Sequence, residues 1–157
     1  MSARKGIFIA SAPEDEKLRD DLVKHLSPLK QQGLITYWYD RKVSPGNEWE
    51  YEADKQLKTA DIILLLISKY FLASDYFSSN EVKLAMYRHE IGEARVIPII
   101  LRPVIWESTD LRKLQVLPRN ARAVTLWSNR DQAFVEIVRG IREALKELAF
   151  VADAENI

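Results

Sequence analysis

Two histidines, five glycines and no cysteine limit the chemistry open to this 157-residue chain. His25 and His89 fall on separate segments at no metal-ligand spacing, and read as solvated or half-buried helix histidines. Lack of cysteine removes zinc-thiolate sites, iron–sulfur clusters and thiol nucleophiles. The glycines Gly6, Gly33, Gly46, Gly92 and Gly140 form neither a G-x-G-x-x-G turn nor a G-x-x-x-x-G-K-[ST] loop, so no glycine-rich cradle holds a nucleotide. No serine stands in a G-x-S-x-G elbow, which leaves triad hydrolysis without support. What remains is carboxylate chemistry. Glu81 closes Ser78-Ser79-Asn80-Glu81, an S-x-x-E capping box whose glutamate would satisfy a backbone N–H at a helix start. Ser11-Ala12-Pro13-Glu14 repeats the pattern, and by spacing alone Ser11 is a cap.

The elements that must position these groups alternate along the chain. Short β-rich runs at Ile7 to Ile9, Leu34 to Tyr39, Val96 to Leu101 and Val124 to Trp127 read as strands, and the unbroken apolar run Ile62 to Ile67 as a central strand covered on both faces. Pro98 fits an edge or a bulge, since proline cannot donate to a ladder. From Glu14 onward Leu18, Leu22 and Leu26 line one face of a helix that Pro28 and Gly33 should close. Further helices are expected over Trp49 to Lys58 and Glu81 to Glu90, with an irregular stretch from Ser68 to Asn80. Phe134, Ile137, Val138, Ile141, Leu145 and Leu148 mark a long amphipathic terminal helix, and residues 151–157 a frayed tail or the start of a linker. Five strands alternating with helices imply an α/β fold: a flavodoxin-like five-stranded parallel sheet with helices on both faces. Its working crevice should lie beyond the carboxyl ends of the strands, at Ala10 to Asp15, Asp40 to Trp49, Ser68 to Glu81, Arg102 to Trp106 and Ser128 to Asp131. A phosphoacceptor receiver would share the fold, but its aspartate and lysine positions hold Ser68 and Trp127.

Composition narrows the class of protein. With 47% apolar and 29% charged residues the chain is globular, and 23 basic against 23 acidic side chains give a net charge of zero. Such a balance lacks the basic surplus that nucleic acid or an anionic membrane demands. No apolar run nears the ~20 residues of a spanning helix, and no signal-peptide core precedes the first strand, so a cytoplasmic protein is expected.

Four runs in order carry a resemblance: Ile7-Phe8-Ile9-Ala10-Ser11; Tyr39-Asp40-Arg41 with Ser44-Pro45-Gly46 and Trp49; Ala60-Asp61 followed by Ile62 to Ser68; and Phe71 to Tyr76 with Glu81. Together they resemble the Toll/interleukin-1 receptor (TIR) domain in its bacterial form, from about Lys5 to Leu148. The resemblance implies one TIR domain over residues 1–150, with Asp40 to Trp49 as the "BB" loop after the second strand. It also implies one of two activities. One is self-association through TIR–TIR contacts that include this loop, alone or with a sensor domain. The other is cleavage of the nicotinamide glycosidic bond of NAD to nicotinamide and linear or cyclised ADP-ribose, as an assembly-gated effector in signalling or antiviral defence. NAD would be substrate, with no cofactor retained. The family's essential glutamate, in a W-x-x-x-E pattern, falls on Glu81, with Phe77 replacing the tryptophan. On the same footing Ser11 becomes a candidate to touch the substrate, and Asp40, Arg41, Lys42 and Asn47 candidates to touch the substrate or a neighbouring protomer, while Trp49 and Trp106 are candidates either to stack on a base or to pack in the core. Ser11-Ala12-Pro13 departs from the family's usual tyrosine and basic or polar residue in that loop. A nucleoside deoxyribosyltransferase, also flavodoxin-like and glutamate-dependent, is the runner-up enzyme, and a non-catalytic interaction module the alternative outside enzymes.

Overall fold

β3 (Ile62–Ile67) is apolar at every position and every side chain in it is buried, which requires cover on both faces. In a computed structural model describing residues 4–39 and 49–155, it pairs in parallel with β1 (Lys5–Ala10) and β4 (Arg95–Ile100). β2 (Ile35–Trp38) lies outside β1, giving the order β2-β1-β3-β4. Side-chain alternation divides the core in two. Ile7, Ile9, Leu64 and Leu66 face α1 (Glu16–Gln31) and α5 (Arg130–Glu155); Phe8, Ala10, Leu65 and Ile67 face α2 (Trp49–Thr59) and α4 (Asn80–Glu90). Helices thus cover both faces of a parallel sheet, as the alternation of elements requires, and α5 runs to Glu155 through the segment expected to fray. Among the described residues no helix is long and apolar enough to cross a membrane.

Three local expectations need correction. The sheet has four strands among the described residues, because Val124 to Trp127 is not a strand. Val124–Leu126 is a 3₁₀ turn, joined to the end of β4 by the Thr125 N–H donating to the Leu101 carbonyl at 3.1 Å. The open edge of β4 is met by one parallel bridge, Ile99 to Leu117. Leu117 donates to the Pro98 carbonyl (2.9 Å) and accepts from the Ile100 N–H (2.8 Å), so Pro98 stands where its missing N–H faces away from β3. The β-propensity of Val124 and Thr125 yields to this tertiary context.

Pro28 does not close α1, which continues to Gln31. Proline at this position orphans the Lys24 carbonyl four residues back, and the Ser27 hydroxyl donates to that carbonyl at 2.7 Å. Gly33 is the stop: at φ +77° it donates to Lys30, while Leu34 donates to Leu29, a Schellman closure. Within the stretch expected to be irregular, Lys69–Ala73 forms a short helix, α3, whose cap is Ser68 accepting from the Phe71 N–H at 3.2 Å.

Candidate active site

β1 connects to β2 on one side and the chain then crosses to β3 on the other, so the order of strands reverses between β1 and β3. Crevices form at such a reversal, beyond the carboxyl ends of the strands. A cleft of about 260 Å³ opens beside this point, lined by Ala10 and Ser11 from the end of β1, Trp38 from the end of β2, Ala53 of α2, and Tyr76 and Glu81. Its apolar wall includes Phe8 and Trp38, whose rings stack at 5.2 Å.

Glu81 reaches the cleft because α4 begins one residue later than the capping-box spacing requires. The N-cap is Ser79, whose hydroxyl accepts from the Val82 N–H, while Ser78 donates to the Asp75 carbonyl. The box from Ser78 to Glu81 is therefore not formed. Glu81 keeps the favourable place of an acid in the first turn of a helix, yet its side chain is free to turn inward. Among the described residues, Oε2 of Glu81 is the buried side-chain oxygen left without a hydrogen-bond partner. Buried polar atoms are overwhelmingly paired, which singles out this oxygen as a candidate ligand contact.

Tyr76 stands beside it. Burial raises the ionisation of its phenol far above the ordinary tyrosine range, and the charge of Glu81 and a hydrogen bond to Glu81 raise it further. The phenol thus stays a neutral donor facing the carboxylate. The family resemblance points instead to Phe77, which packs on Phe71 (centroids 5.9 Å) and lines a separate groove between α4 and residues 108–113. The aromatic residue shortly before the glutamate that lines the cleft is Tyr76, five positions back, not four. Trp38 was also missed, although its place at the end of β2, on the face shared with Phe8, follows from strand alternation.

The other candidates divide clearly. Ser11 lines the cleft and caps nothing: the 3₁₀ turn Pro13–Asp15 has Ala12 at its N-cap, with no side-chain cap bond. Trp49 opens α2. Asp40, Arg41, Lys42 and Asn47 lie outside the described residues. Trp106 is half-buried and packs against the cluster containing Phe71 and Leu111. Both histidines are half-buried on helices, His25 against Asp131 (3.1 Å) and His89 accepting from the Val96 N–H (3.0 Å). A larger hollow of about 390 Å³ between β4 and α5 lies away from the carboxyl ends of the strands.

The family model described as TIR domain matches residues 7–146. The chain belongs to the TIR domain family. A curated relative, the uncharacterized protein y4lF of Sinorhizobium fredii (strain NBRC 101917 / NGR234), is 43% identical over 148 residues. That alignment covers 94% of the present TIR chain and 46% of y4lF, so the chain spans about half of its relative. Among solved structures, the TIR domains of the activated Roq1 resistosome, which directly recognizes the pathogen effector XopQ, superpose with a TM-score of 0.60 at 17% identity, covering 87% of this chain and 99% of that one. The TIR domain of the Toll-related receptor TRR-2 from Hydra magnipapillata gives 0.49 at 19% identity, covering 87% and 97%. Cleft and glutamate therefore lie on a TIR fold, with Glu81 after the third strand.

Proposed function

We propose that this TIR domain cleaves the bond between nicotinamide and ribose in NAD, releasing nicotinamide and linear or cyclised ADP-ribose. The observation that carries the reading is the buried, unpartnered Oε2 of Glu81 in a cleft at the carboxyl ends of the strands. Loss of nicotinamide leaves positive charge on the ribose, and a fixed carboxylate in a partly desolvated cleft stabilises that charge better than water does. Nicotinamide leaves as a neutral group, so no strong general acid is required, and the neutral phenol of Tyr76 stands beside the carboxylate. The described walls enclose about 260 Å³. That is below the roughly 300–1,000 Å³ of a complete small-molecule site, so part of the dinucleotide would be covered by Asp40 to Trp49 or by the same loop of a neighbouring copy. Association of TIR domains would then gate the chemistry in signalling or defence.

NAD incubated with the concentrated protein and separated by chromatography should yield nicotinamide and ADP-ribose. Glu81→Gln keeps the shape of the side chain and removes its charge, and should lower the rate by about 10²–10³-fold. Equal turnover by the variant overturns the assignment. The small cleft also suits a second reading, a non-catalytic module for TIR–TIR assembly, which intact NAD together with self-association of the chain would favour.

A further inference from the structure

We propose that Lys69 and Arg102 form a diphosphate-binding site on the carboxyl rim of the sheet, and that it takes the diphosphate of the dinucleotide. The identity of that ligand rests on the function proposed above; the site itself rests on separate residues. Arg102 follows β4 and reaches back across the end of β3, where its Nε donates to Oδ1 of Asp15 at 2.7 Å. Asp15 is fully buried, and its other oxygen accepts from the fully buried Ser68 hydroxyl. The arginine is therefore fixed end-on through Nε, with its side chain 35% exposed and both Nη groups without a hydrogen-bond partner among the described residues. An end-on pair spends one donor and leaves the fork that matches phosphate oxygens.

A second cation stands beside the same aromatic ring as Arg102. Nζ of Lys69, at the start of α3, lies 5.1 Å from the centre of the Tyr70 ring, and Cζ of Arg102 lies 5.7 Å from it. Two cations stand beside one ring, and the carboxylate of Asp15 is already engaged by Ser68 and Arg102, which leaves a local positive excess that an oxyanion relieves. Neighbouring residues link the pair to the Glu81 cleft. Pro13 of the cleft wall is two residues before Asp15, and Tyr76 of the cleft packs on Phe71, the neighbour of Tyr70, at 6.0 Å. A dinucleotide with its nicotinamide ribose at Glu81 would extend its diphosphate along this rim.

Calorimetric titration of the whole chain with ADP-ribose, nicotinamide riboside and inorganic pyrophosphate tests the site. ADP-ribose should bind about tenfold more weakly to Arg102→Gln and about threefold more weakly to Lys69→Gln, with Arg102→Lys in between. Nicotinamide riboside, which has no diphosphate, should not distinguish the variants, and pyrophosphate should compete with ADP-ribose. Pyrophosphate that binds without competing would indicate a free-phosphate site and overturn the dinucleotide assignment. Should Arg102→Gln fail to fold for want of a partner to Asp15, the exposed Lys69→Gln decides, and unchanged affinity there refutes the proposal. The two readings fail separately. Charge-dependent ADP-ribose binding without NAD cleavage sinks only the glycosidic reaction. NAD cleavage with an unaltered KM in Lys69→Gln sinks only the diphosphate site.

Discussion

An acid in the first turn of a helix is ordinarily explained by the helix, through the dipole and the unpaired N–H groups there. For Glu81 half of that explanation holds. It occupies the first turn of α4, but Ser79 supplies the cap, and one carboxylate oxygen is buried without a partner. Tyr76 stands beside the acid, and burial and the neighbouring charge keep its phenol neutral, so it does not titrate against the carboxylate. Tyr76→Phe removes one hydroxyl and little volume. It should lower kcat for NAD about tenfold, leave KM nearly unchanged, and cost about 1 kcal/mol of stability, to be read from steady-state kinetics and thermal unfolding. Loss of stability at full kcat would make Tyr76 a packing residue only. Sequence reasoning reached Glu81 through a family pattern, and missed Tyr76 because that pattern counts four residues back. The turn at Asp75 to Ser79, where Ser78 and Ser79 bond to nearby backbone, shifts which aromatic side chain faces the cleft. Spacing in sequence foretells facing only inside a regular helix or strand.

Elements were legible where burial dictates them, as in β3, whose six apolar residues admit little besides a covered strand. They were illegible where side chains compensate for a local rule. Pro28 reads as a stop, yet Ser27 repairs the lost bond; Val124 to Trp127 reads as a strand, yet the edge of β4 is met by Leu117. The remainder of that edge shows the same economy: the Val96 N–H donates to Nδ1 of His89, the side chain that links α4 to β4. The bond needs Nδ1 unprotonated. Burial, and then the positive charge of Arg95, lower the His89 pKa below the usual 6.5, with Glu90 opposing. As pH falls below about 6.5, the unfolded chain takes up a proton that the folded chain refuses, so stability present at neutral pH is lost down through the folded-state pKa. Thermal midpoints measured between pH 7.5 and 5 should fall for the parent and fall less for His89→Asn, whose amide oxygen can still accept from Val96. Parallel curves would show that His89 is not the titrating link.

At the scale of the molecule, the cleft is a partial enclosure placed where two halves of a sheet diverge. Its described walls come from β1, β2, α2, α4 and the turn before α4. In the proposed reaction a further segment completes the cleft, and the family resemblance names Asp40 to Trp49, which follow β2 in the chain. Completion by the same chain and completion by a neighbour differ in kinetics. If each copy closes its own site, the rate per molecule is independent of concentration. If a neighbour closes it, the active species is at least a pair, and mass action makes the rate per molecule rise with concentration until association saturates. The shared arrangement predicts NAD turnover per molecule that rises roughly in proportion to concentration when the protein is dilute, and that increases on adding an excluded-volume polymer. Mixing makes the test sharper. Glu81→Gln supplies an intact loop and a dead acid, whereas a variant with Asp40 to Asn47 replaced by glycine and serine supplies an intact acid and a dead loop. Combining the two inactive proteins should restore turnover if neighbours complete one another's sites, and should restore none if every cleft is closed by its own chain.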